Sequence, residues 1–391
     1  MNCKFLLLTI LSYLLAFPVA LAQRPETIYG KNKVLKPNAY YLQQADLWKL
    51  ETEKDPKNAN AWLNYYRASR NAYVQGEDDD SPETKGQKRF MRLNHIVEDM
   101  EKQVPDSYEY NFVKWLNGNN DLNLYPFLEK AHRLSPASPD PIMSLIFYHE
   151  IKGQYTERDG YIEAYCKLGD YSPGLLNYGY NLLSGLEKNA IVLTEGDKDT
   201  EAMLLLTVGR KHRADVRVLN LNLLLIKTYR DRVFQELQVS AFDFNPLGNA
   251  DNFRSYQALI LRSLAENKKG RPLCAALTVG KAYTAPVQQN LYLTGLAYAY
   301  SLGSMNNTVL LKKNLEDLYL LDYIREYFPA DISVGNVNDM NGNYLLPFAT
   351  LSAHYVQAGD TAKANRYKQL AYLVANKSDR LEEFKMYFQE P

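Results

Sequence analysis

The chain has 391 residues and a formal net charge of zero, because 45 basic side chains balance 45 acidic ones. A neutral balance gives no electrostatic footprint for nucleic acid or for an anionic lipid surface. The chain also contains 31 tyrosines, which we interpret mainly as fillers of the grooves between helices, and secondarily as groups that could stack on sugars.

Residues 1–22 have the features of an export signal. Lys4 supplies the positive charge, residues 5–17 form the apolar run, and Ala20 and Ala22 form a small-residue cleavage site before Gln23. The run is too short to favour a retained membrane helix, and we find no second apolar run without charges. We therefore predict a periplasmic or secreted protein with no membrane span after cleavage.

A mobile segment is predicted at 23–36, followed by a helical-repeat region at 37–170. In the sequence DPKNANAW at 55–62, Pro56 disfavours helix in the residue before it and Asn58 can cap the next helix. This turn resembles the join between tetratricopeptide repeats. Further helices are predicted in pairs, and in repeat proteins each pair buries one face on its neighbour. The predicted helices lie at 125–134, 141–152, 156–168, 344–358 and 361–375.

The middle of the chain has a different pattern. Two apolar runs, at 190–194 and 216–226, flank a predicted helix at 200–211, and continuous apolar runs are typical of strands buried on both faces. A third strand is predicted at 272–279, and 291–302 could be a short helix or a strand. We therefore predict a mostly α fold with an embedded α/β module, in which tetratricopeptide-like helical pairs flank a small parallel sheet. The α/β module is assigned to 171–302 and a C-terminal helical hairpin region to 303–391.

Four blocks of this middle region carry a family likeness. They read AIVLTEGDKDT at 190–200, RADVRVLNLNLL at 213–224, RPLCAALTV at 271–279 and LYLTGLAYAY at 291–300. In this order they resemble the soluble C-terminal region of bacterial membrane proteins similar to protein O-mannosyltransferases, a domain of unknown function. The resemblance implies an exported, envelope-associated system that handles glycans. It supplies no catalytic residue, because the membrane portion that carries the family's chemistry has no counterpart here.

Acidic and polar side chains follow the first two predicted strands. Ligands of open parallel sheets bind at the carboxyl ends of strands, so these side chains could hold a cation or another ligand through oxygen atoms. In the alternative interpretation, Asp199 or Thr200 caps the following helix and Gly196 permits the turn. Burying an asparagine side chain costs free energy unless it is hydrogen-bonded. We therefore expect the asparagines of the second strand to have hydrogen-bond partners. The candidates are Glu195, Asp197, Asp199, Thr200, Asn220 and Asn222.

No catalytic constellation is visible in the sequence. The five histidines have no zinc-site spacing, and no nucleophile elbow or phosphate-binding loop occurs. Cys166 and Cys274 could be two buried thiols or a disulfide. We therefore expect no cofactor and favour an exported scaffold that binds a protein or glycoprotein partner. The alternative is a soluble enzyme or substrate-binding subunit of a glycan-modifying pathway that uses the loop at 195–200.

Overall fold

The computed structural model describes residues 24–72, 82–119, 121–242, 250–266 and 270–389, so the predicted signal peptide at 1–22 lies outside the described residues. The chain divides into two compact units. The first contains Pro37–Asn117 with the residues up to Tyr29, and the second contains Gly30–Lys36 with Gly118–Pro391. This division differs from the predicted domain boundaries, because the helices at 118–170 group with the sheet.

The first unit is built from helices α1 to α4, which are Asn38–Lys54, Ala59–Asn71, Pro82–Gln103 and Tyr108–Asn117. The turn between α1 and α2 is the one predicted from Pro56 and Asn58. The Asn58 side chain accepts a hydrogen bond from Ala61 N at 3.1 Å, which confirms the predicted cap. Tyr41 and Trp48 of α1 pack with small residues of α2 in a core that also includes Ile28.

The second unit begins with helices α5 to α8, which are Tyr125–Leu134, Pro139–Lys152, Tyr155–Leu168 and Pro173–Ser184. Gly153 and Gly169 end α6 and α7 with φ values of 73° and 65°, a left-handed conformation that favours glycine. A Cβ at Gly153 would lie 2.7 Å from the Arg232 side chain. The predicted pair at 141–152 and 156–168 is confirmed.

The sheet and its connections follow. Strands β1 and β2 are Ile191–Thr194 and Arg217–Asn220, and α9 (Asp197–Leu204) lies between them. Helices α10 (Lys227–Leu237) and α11 (Ala250–Glu266) lead to β3, which is Leu273–Ala276. Val192 of β1 is aligned with Val218 of β2 and with Cys274 of β3, and both pairings are parallel. The predicted adjacency of the three strands is confirmed.

The last two strands make the sheet mixed rather than parallel. After the short helix α12 (Lys281–Thr284), β4 (Leu291–Leu293) and β5 (Ala297–Tyr300) form an antiparallel hairpin, and β5 pairs with β3. The strand order is β2-β1-β3-β5-β4. The turn of this hairpin contains Gly295 with φ 144°. This hairpin settles the choice left open for 291–302.

The second strand is shorter than the predicted run at 216–226. The Asn220 side chain accepts a hydrogen bond from Leu223 N at 3.1 Å, and a 3₁₀ turn at Leu223–Leu225 follows. The apolar residues after Asn220 therefore pack from a turn, so the prediction of strand for 221–226 was wrong. The predicted helix at 200–211 begins earlier, at Asp197, and continues as a π-helical turn at Leu205–Gly209.

The C-terminal part is helical. It contains α13 to α18, which are Asn307–Lys313, Asp322–Arg325, Val334–Asn341, Leu345–Gln357, Thr361–Lys377 and Leu381–Phe388. Helices α16 and α17 form the predicted hairpin through Gly359 (φ 76°), and the Asp360 side chain caps α17 by accepting from Lys363 N at 3.0 Å. The predicted fold class is confirmed as mostly helical with a small five-stranded sheet.

The predicted alternative of a disulfide is not formed, because Cys166 and Cys274 are both free thiols. None of the helices in the described part of the chain combines the length and apolar character needed to cross a lipid bilayer.

Candidate functional site

The carboxyl ends of the three parallel strands meet at one edge of the sheet. There the loops after β1, β2 and β3 and the first turn of α9 bring together a set of acidic and polar side chains. We call this set the acidic corner, and it consists of Glu195, Asp197, Asp199, Thr200, Glu201, Asn220, Asn222 and Thr278.

Glu195 joins the loops after all three strands. Its main-chain carbonyl accepts a hydrogen bond from Asn222 Nδ2 at 2.9 Å, and its side-chain Oε2 accepts from Gly280 N at 2.6 Å. The buried Asn220 amide donates to Thr200 Oγ1 at 2.9 Å. The expectation that the buried Asn220 side chain has a partner is therefore confirmed. Asn222 is exposed and accepts from the Tyr283 hydroxyl at 3.2 Å.

Thr200 lies at the centre of the corner but does not cap α9. The helix begins at Asp197. Its N-cap residue is Gly196, which has no side chain and so makes no side-chain capping hydrogen bond. Thr200 Oγ1 donates back to Gly196 O at 2.6 Å and lies 2.7 Å from Thr194 Oγ1. The prediction that Asp199 or Thr200 caps the helix was therefore wrong, because both residues lie inside its first turns.

Asp199 is a buried carboxylate, with 1% of its surface exposed. Its Oδ1 accepts from Thr200 N at 3.0 Å, and its Oδ2 accepts from the Thr278 hydroxyl. Burial raises the pKa of Asp199 to about 6, and the bonds from Thr278 and Thr200 offset part of that rise. The group therefore exchanges its proton close to neutral pH.

Glu201, one position beyond Thr200, is also buried. Burial raises its pKa well above the usual range, and the neighbouring carboxylate of Asp197 raises it further. Hydrogen bonds from Asn32 and Tyr171 lower it in part. The Tyr171 hydroxyl has one proton, for which Lys198 O, at 2.9 Å, competes with the Glu201 carboxylate. Asp197 itself is exposed.

An N-terminal strap, Gly30–Lys36, lies beside this corner. Asn32 Nδ2 is 3.5 Å from Glu201 Oε1, and Lys33 Nζ is 2.6 Å from Asp170 Oδ1. Asn336 of α15 donates to Lys31 O at 2.9 Å. Lys198 in turn pairs with Asp339 of α15 at 2.7 Å. Although 23–36 was predicted to be mobile, its described residues make specific polar contacts.

The carboxylates of the corner accept hydrogen bonds from protein groups rather than converging on a shared position where an ion could sit. Glu195 and Asp199 accept from Gly280 N, Thr200 N and Thr278, and across the described ranges no three His, Cys, Asp or Glu side chains are grouped so that they could hold a metal ion. What the arrangement can do chemically is hold and exchange protons, because two buried carboxyl groups have raised pKa values.

Some residues of the corner, and some that contact it, were not identified from the sequence. Thr278 and Gly280 follow β3, so applying the strand-end rule to the third strand as well would have found them. Glu201 lies one helical turn after Asp197, and its spacing places both on one face of α9. Tyr171 and Asn32 carried no signal, because their contacts join distant parts of the chain.

Comparison with known proteins gives no assignment, since no family model and no curated protein matches this chain.

Proposed function

We propose that this protein is an exported, non-enzymatic binding protein of the cell envelope that holds a protein or glycoprotein partner on its helical pairs. The observation that carries the proposal is the state of the acidic corner. Its buried side chains hydrogen bond to one another and to loop backbone, as Asn220 does with Thr200 and Glu195 with Gly280. Side chains so engaged hold strand ends together, which leaves binding to the helical surfaces.

The exported location is part of the proposal and rests on the signal-like residues 1–22. The similarity of the middle blocks to an envelope-associated family supports the same compartment. Mass spectrometry of the protein from its native cells tests this directly. We expect a mature N-terminus at Gln23, and an intact Met1 in the main species would contradict export.

Reciprocal capture tests the binding function. The mature chain, cross-linked in cells and captured, should carry one partner in a fixed stoichiometric ratio, and that partner as bait should recover this chain. The corner variant Thr278→Val should retain the partner, because the corner serves the fold. Absence of any stoichiometric partner, together with turnover of a substrate by the purified chain, would refute the proposal.

A second candidate function uses the corner itself. The raised pKa values of Asp199 and Glu201 favour it, because perturbed carboxyl groups cluster at functional sites. In this candidate the chain is a soluble enzyme or substrate-binding subunit of a glycan-modifying pathway. Support also comes from the similarity to a glycosyltransferase-associated region.

Thermal unfolding with added ligands separates the two candidates. A ligand at a hundred times its Kd stabilises a protein by roughly 2.7 kcal/mol if it binds only the folded state. We would test Mg²⁺, Ca²⁺, Mn²⁺, nucleotide sugars and lipid-linked sugars, each with wild type and Asp197→Asn. A shift in wild type that Asp197→Asn abolishes would favour the second candidate, and no shift with any ligand would remove it.

A further inference from the structure

Five aromatic rings form a continuous series across helices α5, α6 and α7. Measured between ring centroids, His132 and Tyr161 are 5.5 Å apart, Tyr161 and His149 5.4 Å, His149 and Tyr125 6.2 Å, and Tyr125 and Tyr148 4.1 Å. We call this series the aromatic arc. Three consecutive helices thus contribute to one surface.

The arc is a partly open surface with a buried centre. Tyr125, Tyr148, Tyr161 and His132 are half-buried, whereas His149 is only 5% exposed. The His149 ring is stacked on Tyr161 and meets Tyr125 and Tyr148 edge-on. A ligand lying on the arc would therefore contact tyrosine rings first and His149 at the greatest depth.

His149 has an unsatisfied nitrogen. Its Nδ1 is 2.9 Å from the Gln154 carbonyl oxygen Oε1, which can only accept, so Nδ1 carries the proton and Nε2 is left with a lone pair. Nε2 is buried and has no hydrogen-bond partner among the described residues. A buried acceptor without a donor costs free energy, so the arc has an unpaired lone pair beneath its tyrosine rings.

A single carboxylate serves the arc. Glu129 lies four residues after Tyr125 and three before His132, which places all three on one face of α5. Burial raises the pKa values of Tyr125, Tyr148 and Tyr161, and the Glu129 charge raises them further, so the carboxylate is within electrostatic reach of all three hydroxyls.

No ion pair within the described ranges involves Glu129. Burial lowers the pKa of His132, so this neighbouring ring is neutral at neutral pH. Glu129 is therefore the one formal charge among the side chains that make up this surface, and it is exposed. A ligand that supplies the opposite charge would meet no repulsion from the arc.

We propose that the aromatic arc and Glu129 form a binding site for an arginine side chain of the partner protein, an inference that rests on the proposed binding function. A guanidinium group is planar, stacks on tyrosine rings and carries five N–H donors. It pairs with a carboxylate through charge-assisted hydrogen bonds and is attracted to ring faces.

The probe is the blocked peptide acetyl-Gly-Arg-Gly-amide, titrated calorimetrically into the mature chain at low salt. Glu129→Gln should weaken binding by about tenfold, the loss expected for one charge-assisted hydrogen bond. Tyr148→Leu should weaken it by about fivefold through loss of a ring, while Tyr148→Phe should bind as wild type. The matched control is Glu326→Gln, another exposed glutamate outside the arc, which should bind as wild type. Unchanged circular dichroism melts confirm that the variants fold.

The inference is overturned if the arginine peptide shows no saturable binding at about 10 mM, or if acetyl-Gly-Gln-Gly-amide binds equally well. It is also overturned if Glu129→Gln binds as wild type. A neutral oligosaccharide that binds in a Tyr148-dependent manner would make the arc a sugar site instead. A partner captured equally by wild type and Glu129→Gln would refute the arginine site and leave the binding function standing. Failure to capture any partner tests that function separately.

Discussion

At the scale of single residues, the proton on Asp199 links stability to pH. Its pKa is about 6 in the folded chain, and the usual aspartate value of about 3.9 applies when unfolded. The folded state therefore holds a proton that the unfolded state has released, so this contribution is full below about pH 4 and is lost as pH rises through about 6. Relative to Asp199→Asn, we expect wild type to lose roughly 2 kcal/mol of stability between pH 4 and 7.

Urea unfolding at pH values from 4 to 7 measures this difference. The control is Asp46→Asn, because Asp46 is exposed and lies in the first unit. Parallel stability curves for wild type and Asp199→Asn would mean that Asp199 titrates at an ordinary value when folded.

The Asn58 cap gives a second prediction at this scale. Its side chain accepts from Ala61 N at 3.1 Å at the start of α2. Asn58→Ala should lower the free energy of unfolding by about 1 kcal/mol, since one N–H of the helix loses its partner. Chemical denaturation measures the loss. Asn58→Asp should retain most of the stability, and equal losses in the two variants would argue against capping.

At the scale of elements, β1 is the strand around which the sheet is built. It pairs with β2 on one side and β3 on the other, and Val192 at its centre is fully buried. Val192→Asp would bury an unpaired charge, so we expect a loss of several kcal/mol and failure to fold. Val309→Asp is the matched control, because Val309 is 59% exposed on α13. Soluble expression and circular dichroism report the result, and a folded Val192→Asp protein would contradict it.

The sequence patterns predicted the elements better than their ends. Apolar continuity located β1, β2 and β3, and proline and glycine marked the helix ends that Gly153 and Gly169 form. The strand after Asn220 was overestimated, because a side-chain bond to Leu223 N, rather than hydrophobicity, decides where the chain turns. The cap at Asp199 was misplaced for a similar reason, since the Thr278 hydroxyl binds that carboxylate from another strand end.

At the scale of the whole molecule, the two units have separate apolar cores. One core contains Tyr41 and Trp48, and the other contains Val192, Leu219 and Phe348, with no residue in common. We therefore expect Asn58→Ala to lower protection from hydrogen exchange only in 37–117, and Asp199→Asn to alter it only in the second unit. Exchange measured by mass spectrometry through a urea titration tests this. Equal changes across both units in each variant would show a single cooperative fold.

The contacts of the strap could not be predicted from sequence. The bond between Asn336 Nδ2 and Lys31 O joins residues 305 positions apart, and the ion pair of Lys33 with Asp170 spans 137. No periodicity or turn signal relates residues at such separations, and the strap itself has no regular secondary structure that a pattern could reveal.

The strap also has a consequence for the order of events in biosynthesis. Ribosomes make Gly30–Lys36 early, yet the residues that bind it are made much later, at Asp170, Glu201 and Asn336. The strap must therefore wait until nearly the whole chain has emerged, and Pro37–Asn117 of the first unit is synthesised before any of the residues that bind it. Docking of the strap is accordingly a late step of maturation, and a chain that begins at Gly118 would leave Asp170 and Glu201 without the partners that the strap provides.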